Sequence, residues 1–143
     1  MGSRLLYYLV VLPISILPYP LLYGFSDIVY VLLFRLVGYR KSVVRANVER
    51  SFPNMTEEQR NKVVHLFYHH LCDLVLETIK GFTISKRQLR KRFIMRNPEL
   101  LDQYFEEGRS VILVGGHYNN WEILALGRIT EMTPDSFGQR YFF

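Results

Sequence analysis

The hydrophobic and polar positions divide the chain into stretches of different character. From Leu5 to Phe34 there is no Lys or Arg, and Asp27 is the one acid. At about 1.5 Å per residue in a helix, that length suffices to cross a hydrocarbon core of about 30 Å. Pro13, Pro18 and Pro20 interrupt it. Because proline lacks the amide hydrogen a helix needs, the stretch reads either as a span or as two shorter helices lying in one leaflet. It is too long for a signal peptide and continues into "LLFRLVGYRKSVVRANVERSF" without a small-residue cleavage site, so it is expected to be retained. Arg35, Arg40, Lys41, Arg45 and Arg50 follow it, against Arg4 before it. Positive residues stay cytoplasmic, which predicts that the remainder of the chain faces the cytoplasm. A buried helical hairpin in a soluble core is the alternative.

The next stretch has helical period. Thr56 with Gln59 three residues on makes a capping box, Glu57 and Glu58 suit the positive end of a helix, and Gly81 is placed to stop it. Val64, Leu71, Val75 and Ile79, with Phe67 and Leu74 beside them, predict the apolar stripe. Lys62, His65, His69, Asp73 and Glu77 fall on the opposite face. That face reads as solvated and laced with charge pairs, with a metal face of His65, His69 and Asp73 as the less economical reading.

Beyond "SKRQLRKRFIMRN", a basic segment ending in a short alternating piece, "NPELLDQYFEEGRS" predicts a short helix with Asn97 as cap, Pro98 at its first position and Gly108 after its end. Val111 to Val114 is apolar on both faces, as a buried strand of a parallel sheet would be. Helix, buried strand, glycine turn and helix is the order of an α/β unit. "RFIMR" and "QRYFF" are the weak candidates for a second strand.

Composition narrows the class. With 49% hydrophobic and 22% charged residues over 143 positions, the chain is not disordered and is long enough for one domain. Its net charge of +5 asks for an acidic partner or an anionic surface. No basic segment is interleaved with stacking aromatics, so nucleic acid is not expected as that partner. The single Cys72 excludes an intrachain disulfide and a thiolate metal cluster, and reads as a core residue of a protein in a reducing compartment.

The chemistry concentrates in "SVILVGGHYNNWEILALG". On one helix His117 and Glu122 would stand roughly 140° apart, five residues at about 100° each, and could not cooperate. Gly115 and Gly116 instead place His117 in a turn, with Asn119 or Asn120 capping the following helix and Glu122 in its first turn. From there the imidazole can fold back on the carboxylate. The pair would then take a proton from an alcohol on the substrate, since it has no nucleophile of its own. The helix N-terminus could bind a phosphate or developing negative charge. Asn119 and Glu122 also match a capping box, so Glu122 can equally be read as a helix-closing residue.

"VGGHYNNWEI", the upstream "VGYRKSVVRANVERSFPNMTEEQR" and the apolar start resemble the lipid A biosynthesis lauroyl/myristoyl acyltransferase family, within the wider lysophospholipid acyltransferases. The resemblance runs in order from about Leu5 to Gly127. It implies an α/β fold: a membrane-associated helical anchor over residues 1–38, then the N-terminal part of a glycerolipid-acyltransferase-like α/β domain over 39–143, truncated relative to the family. It implies His117 as general base and Glu122 as its orienting carboxylate, with acyl carrier protein as donor and a hydroxyl of a lipid A precursor as acceptor. Asn119, Asn120, Arg87, Arg90 and Lys91 become candidate substrate-binding residues, and no metal or organic cofactor is called for. The expected location is the bacterial inner membrane, with the catalytic part on the cytoplasmic side. An acyltransferase for another membrane lipid (a lysophospholipid, an aminolipid or a pigment ester) and a non-catalytic membrane-anchored remnant are the competing readings.

Overall fold

The structure is a computed structural model describing residues 2–131 apart from Met95, Pro98, Leu113, Gly115 and His117, with side chains described as far as Gly127. Its contacts divide the chain into two compact units, Met1–Phe82 and Thr83–Phe143.

In the first unit the apolar start forms two helices, α1 (Gly2–Ile16) and α2 (Tyr19–Val37), each with a wider π-type stretch, at Tyr7–Val11 and Leu32–Val37. The break between them has a covalent cause. Pro18 and Pro20 have no amide hydrogen to give to the preceding turn, and the backbone runs extended at Leu17 and Pro18 (ψ 138° and 150°) before the helix restarts. Gly38, at φ 64°, ends α2 in the left-handed conformation that glycine adopts without strain. Helix α3 (Lys41–Ser51) follows, and then α4 (Glu57–Lys80), opened by Thr56 and Gln59 with both capping-box hydrogen bonds formed. Gly81 follows its last residue, though in right-handed conformation.

The core lies where α2, α3 and α4 meet. Tyr30, Val48, Val64, Tyr68 and Cys72 form it, with Phe34, Val44 and Leu71 packed around them. The buried set on α4 is Val64, Tyr68, Cys72, Leu76 and Lys80, and on α2 it is Leu22, Ser26 and Tyr30. Every member of each set is four residues from the next, so the two helices meet along single narrow seams. Fully buried Ser15 and Ser26 leave room for close approach. The Tyr68 hydroxyl donates to the Tyr39 carbonyl and ties α4 to the turn between α2 and α3.

This seam displaces the apolar stripe expected from periodicity. Val75 and Phe67 are 51% and 43% exposed, whereas Tyr68, Cys72 and Leu76 are buried. The face expected to be solvated is instead used for packing. Glu77 accepts from the Tyr23 hydroxyl at 2.5 Å, His65 Nδ1 pairs with the Tyr30 hydroxyl at 2.7 Å, and His69 lies 3.5 Å from Asp27 with its ring stacked on Tyr30. A helix that offers partly buried tyrosine hydroxyls selects the polar face of its neighbour, because hydroxyls withdrawn from water need partners.

The second unit contains α5 (Lys86–Arg90), α6 (Glu99–Glu106) and α7 (Trp121–Glu131). Ser85 and Gln88 form a second capping box at the start of α5. Gly108, at φ 69°, closes α6: its own amide donates to Phe105 and that of Arg109 to Tyr104, the paired bonds of a Schellman ending. Asn97 stands at φ 55° before α6, and Pro98, expected at its first position, lies outside the described residues. Helix α5 packs on α7, with Leu89 and Ile123 buried. Gly127 is the point of closest approach, since a Cβ there would come within 2.8 Å of Phe93 Cβ and nearer still to its ring.

The α/β expectation is overturned. Among the described residues every regular element is helical and there is no strand. Of the expected strand Val111–Val114, Ile112 and Val114 are 88% and 93% exposed, and Leu113 lies outside the described residues. A strand exists only through its ladder, and β-branched composition cannot supply the missing neighbour. The intended neighbour "RFIMR" is used otherwise: the amides of Arg92 and Phe93 both donate to Leu89 O, closing α5, and the Phe93 ring is held against α7. "QRYFF" lies outside the described residues.

Candidate active site

The loop before α7 is built by asparagines. Asn119 takes the left-handed conformation at φ 62°, which its short polar side chain tolerates better than most, and turns the chain towards the helix. Asn120 then accepts the Ile123 amide on its Oδ1 at 3.0 Å, the bond that an N-cap makes to the third helical residue. Asn120 is therefore the cap, and Trp121 and Glu122 are the first two residues of α7. In a capping box the acid stands at the third helical position, which here is Ile123. Glu122 consequently does not close the helix on itself, and its exposed side chain sits in the first turn, beside the positive end of the helix.

Before the asparagines, the Tyr118 amide donates to Gly116 O at 2.8 Å, and Tyr118 itself is 92% exposed. His117 and Gly115 lie outside the described residues, so the structure supplies no His117–Glu122 geometry. Arg87 and Arg90 are exposed on α5, with Lys91 exposed immediately after it. Leu89, buried between them, anchors this basic helix in the same unit as α7.

Other candidate groups resolve into structural roles. His65 and His69 are engaged with Tyr30 and Asp27, and among the described residues no group of three His, Cys, Asp or Glu is placed to hold a metal ion. A cleft of about 220 Å³ between α3 and α4 sets Arg45 and Arg60 against Glu49 and Glu57, so it presents no field of one sign. Arg60 spends its guanidinium on the carbonyls of Met55 and Pro53, bracing the loop between the two helices. Burial raises the Cys72 thiol above its usual pKa, the reverse of what a reactive thiolate needs.

Sequence reasoning passed over two features. Helix α5 was legible, because Ser85 and Gln88 carry the spacing of a capping box. Lys80 was not: it is 3% exposed and donates to Ser15 O at 2.7 Å and Leu17 O at 2.8 Å, and nothing near it in the chain announces those partners.

An asparagine-capped helix with an acid in its first turn is the described part of the segment that carries the His-x4-acid motif. The family model of bacterial lipid A biosynthesis acyltransferases matches residues 2–133, and the chain belongs to that family. Among curated proteins it is similar to the lipid A biosynthesis palmitoleoyltransferase of Escherichia coli (strain K12), at 26% identity over 107 residues, 75% of this chain and 35% of that protein. The lipid A biosynthesis lauroyltransferase of the same organism and the lipid A biosynthesis acyltransferase of Shigella flexneri match at the same identity and coverage. The chain thus spans about a third (35%) of the length of these relatives. No solved structure matches it.

Proposed function

We propose that the protein carrying this chain is a membrane-associated acyltransferase that moves a fatty acyl group from acyl carrier protein to a hydroxyl of a lipid A precursor at the cytoplasmic face of the bacterial inner membrane. The observation that carries the reading is the family match over residues 2–133, which includes the His117–Glu122 motif. In this reading Glu122 holds one nitrogen of His117 and the other nitrogen takes the acceptor's hydroxyl proton. The acceptor oxygen attacks the thioester carbonyl, the C–S bond breaks as the tetrahedral intermediate collapses, and the thiolate leaves with the proton held by the imidazolium. In the same reading Asn119, Asn120 and the amides at the start of α7 would donate to the oxyanion or a phosphate. Arg87, Arg90 and Lys91 supply positive charge for an acidic carrier protein or the phosphates of lipid A.

The test is acyl transfer from acyl carrier protein to a lipid A precursor, followed by mass spectrometry in the protein that carries this sequence. His117→Ala is expected to lower the rate by about 10²–10⁴, the usual worth of general-base assistance, and Glu122→Ala by less. Normal turnover by a folded His117→Ala protein would refute the mechanism. Transfer to a lysophospholipid and not to the lipid A precursor would refute the acceptor.

A further inference from the structure

We infer that residues 2–37 dock into one leaflet of an anionic phospholipid bilayer, with the chain entering and leaving on the same side, so that α2 does not span. The inference rests on the membrane reading above and adds the topology. By length and composition α2 is able to cross a membrane. Its contacts argue otherwise. Four polar ties bind α1 and α2 to α4 in antiparallel order: Lys80 to the carbonyls of Ser15 and Leu17, Glu77 to Tyr23, His69 to Asp27, and His65 to Tyr30. From Ser15 to Tyr30 they cover roughly 22 Å at about 1.5 Å per residue. A spanning α2 would carry its partner through most of a hydrocarbon core about 30 Å thick.

That partner is unsuited to hydrocarbon. Between Lys62 and Lys80 helix α4 carries Asp73, Glu77 and three histidines besides the two lysines. Charged side chains at membrane depth are costly and persist only where protein or water surrounds them. Asp27 on α2 is itself exposed. The helix break is pinned as well, because the Lys80 amine donates to the carbonyls of Ser15 and Leu17 beside it, so a hairpin of α1 and α2 pushed across the bilayer would take the lysine with it.

The face away from α4 has the opposite character. Ile28 and Leu32 are exposed, and at about 100° per residue they stand roughly 160° around α2 from buried Ser26 and Tyr30. Leu21 and Leu36 extend this face, and Leu9 and Ile16 on α1 are more than 60% exposed. Exposed Arg4, Arg35 and Arg40 lie at the ends of the apolar segments, where they complement anionic headgroups. An apolar face with a polar, charged partner behind it is the pattern of an in-plane helix, buried to the headgroup boundary on one side only.

The experiment is accessibility to a membrane-impermeant maleimide, using single added cysteines at exposed Ser3, Ile16 and Asn54; native Cys72, 2% exposed, provides the background. In inverted inner-membrane vesicles Ser3→Cys and Asn54→Cys should both label, and in spheroplasts none of the three should. Labelling of Ser3→Cys or Ile16→Cys in spheroplasts, with Asn54→Cys labelled in inverted vesicles, would overturn the one-leaflet topology and leave the membrane reading standing. Recovery of the chain in the soluble fraction would overturn both. The unaltered chain offers a second measurement: trypsin added to inverted vesicles should cut at Arg4 as well as at Arg50, and protection of Arg4 while Arg50 is cleaved would count against the proposal.

Discussion

Replacing Lys80 by methionine tests how the helix break is held. The substitution keeps most of the aliphatic stem and removes the amine that meets Ser15 O and Leu17 O at 2.7 and 2.8 Å. Those carbonyls lie where the chain turns extended at Leu17 and Pro18, beside the proline break. Each hydrogen bond to a charged donor is worth about 1.5–3 kcal/mol. Against this stands the recovered cost of burying an amine, which is why apolar replacement of a buried charge is often neutral when its partners leave with it. Here the partners are backbone and remain. The expected net loss is therefore about 2–4 kcal/mol, read as a lower denaturant midpoint in detergent solution by the far-ultraviolet signal of the helices.

The same amine gives a pH signature. Burial holds the Lys80 pKa below the ordinary lysine value of about 10.4. Between the lowered value and about 10.4 the unfolded chain retains a proton that the folded chain has released, so this group's contribution to stability rises with pH across that interval. The difference in stability between the wild type and Lys80→Met should widen accordingly. A Lys80→Met protein as stable as the wild type, with no pH-dependent difference, would refute the reasoning by showing that the carbonyls do not depend on the amine.

Gly127→Ala should destabilise the second unit by about 1–3 kcal/mol, because the added Cβ would come within 2.8 Å of Phe93 Cβ. Combining it with Phe93→Ala should recover part of the loss, so additive effects in a double-mutant cycle by thermal unfolding would refute the contact. Asn120→Ala should cost about 1 kcal/mol by removing the cap bond to Ile123, and Asn120→Asp should restore it; equal stability of Asn120→Ala and wild type would show that the helix start is held by something else.

What the sequence by itself determined are the features written in a few neighbouring residues. Thr56 with Gln59 and Ser85 with Gln88 open helices, Pro18 and Pro20 break one, and Gly38 and Gly108 end two, since each acts on backbone groups within a turn of itself. The resemblance carried by "VGGHYNNWEI" and the upstream juncture was legible for the same reason, and the family match over residues 2–133 agrees with it. Asn120 as the cap was one of two choices the spacing left open, and the coordinates decided between them. The strand at Val111–Val114 failed because a strand is a relation between segments: its β-branched residues met the local requirement, while Arg92 and Phe93 of the candidate partner went to close α5 and Phe93 to pack on Gly127.

Tertiary structure alone decided which face of α4 is inside. Periodicity favoured Val75 and Phe67, but the buried seam runs through Tyr68, Cys72 and Leu76, and the histidines and Glu77 beside it satisfy Tyr23, Asp27 and Tyr30. A hydrophobic pattern assumes that the neighbour is apolar. When the neighbour is an apolar helix carrying partly buried tyrosine hydroxyls, the need to pair those groups outweighs the small gain from hiding two more side chains. Lys80 is the limiting case, a charged residue drawn inside by carbonyls more than sixty positions away, beside a proline break elsewhere in the chain.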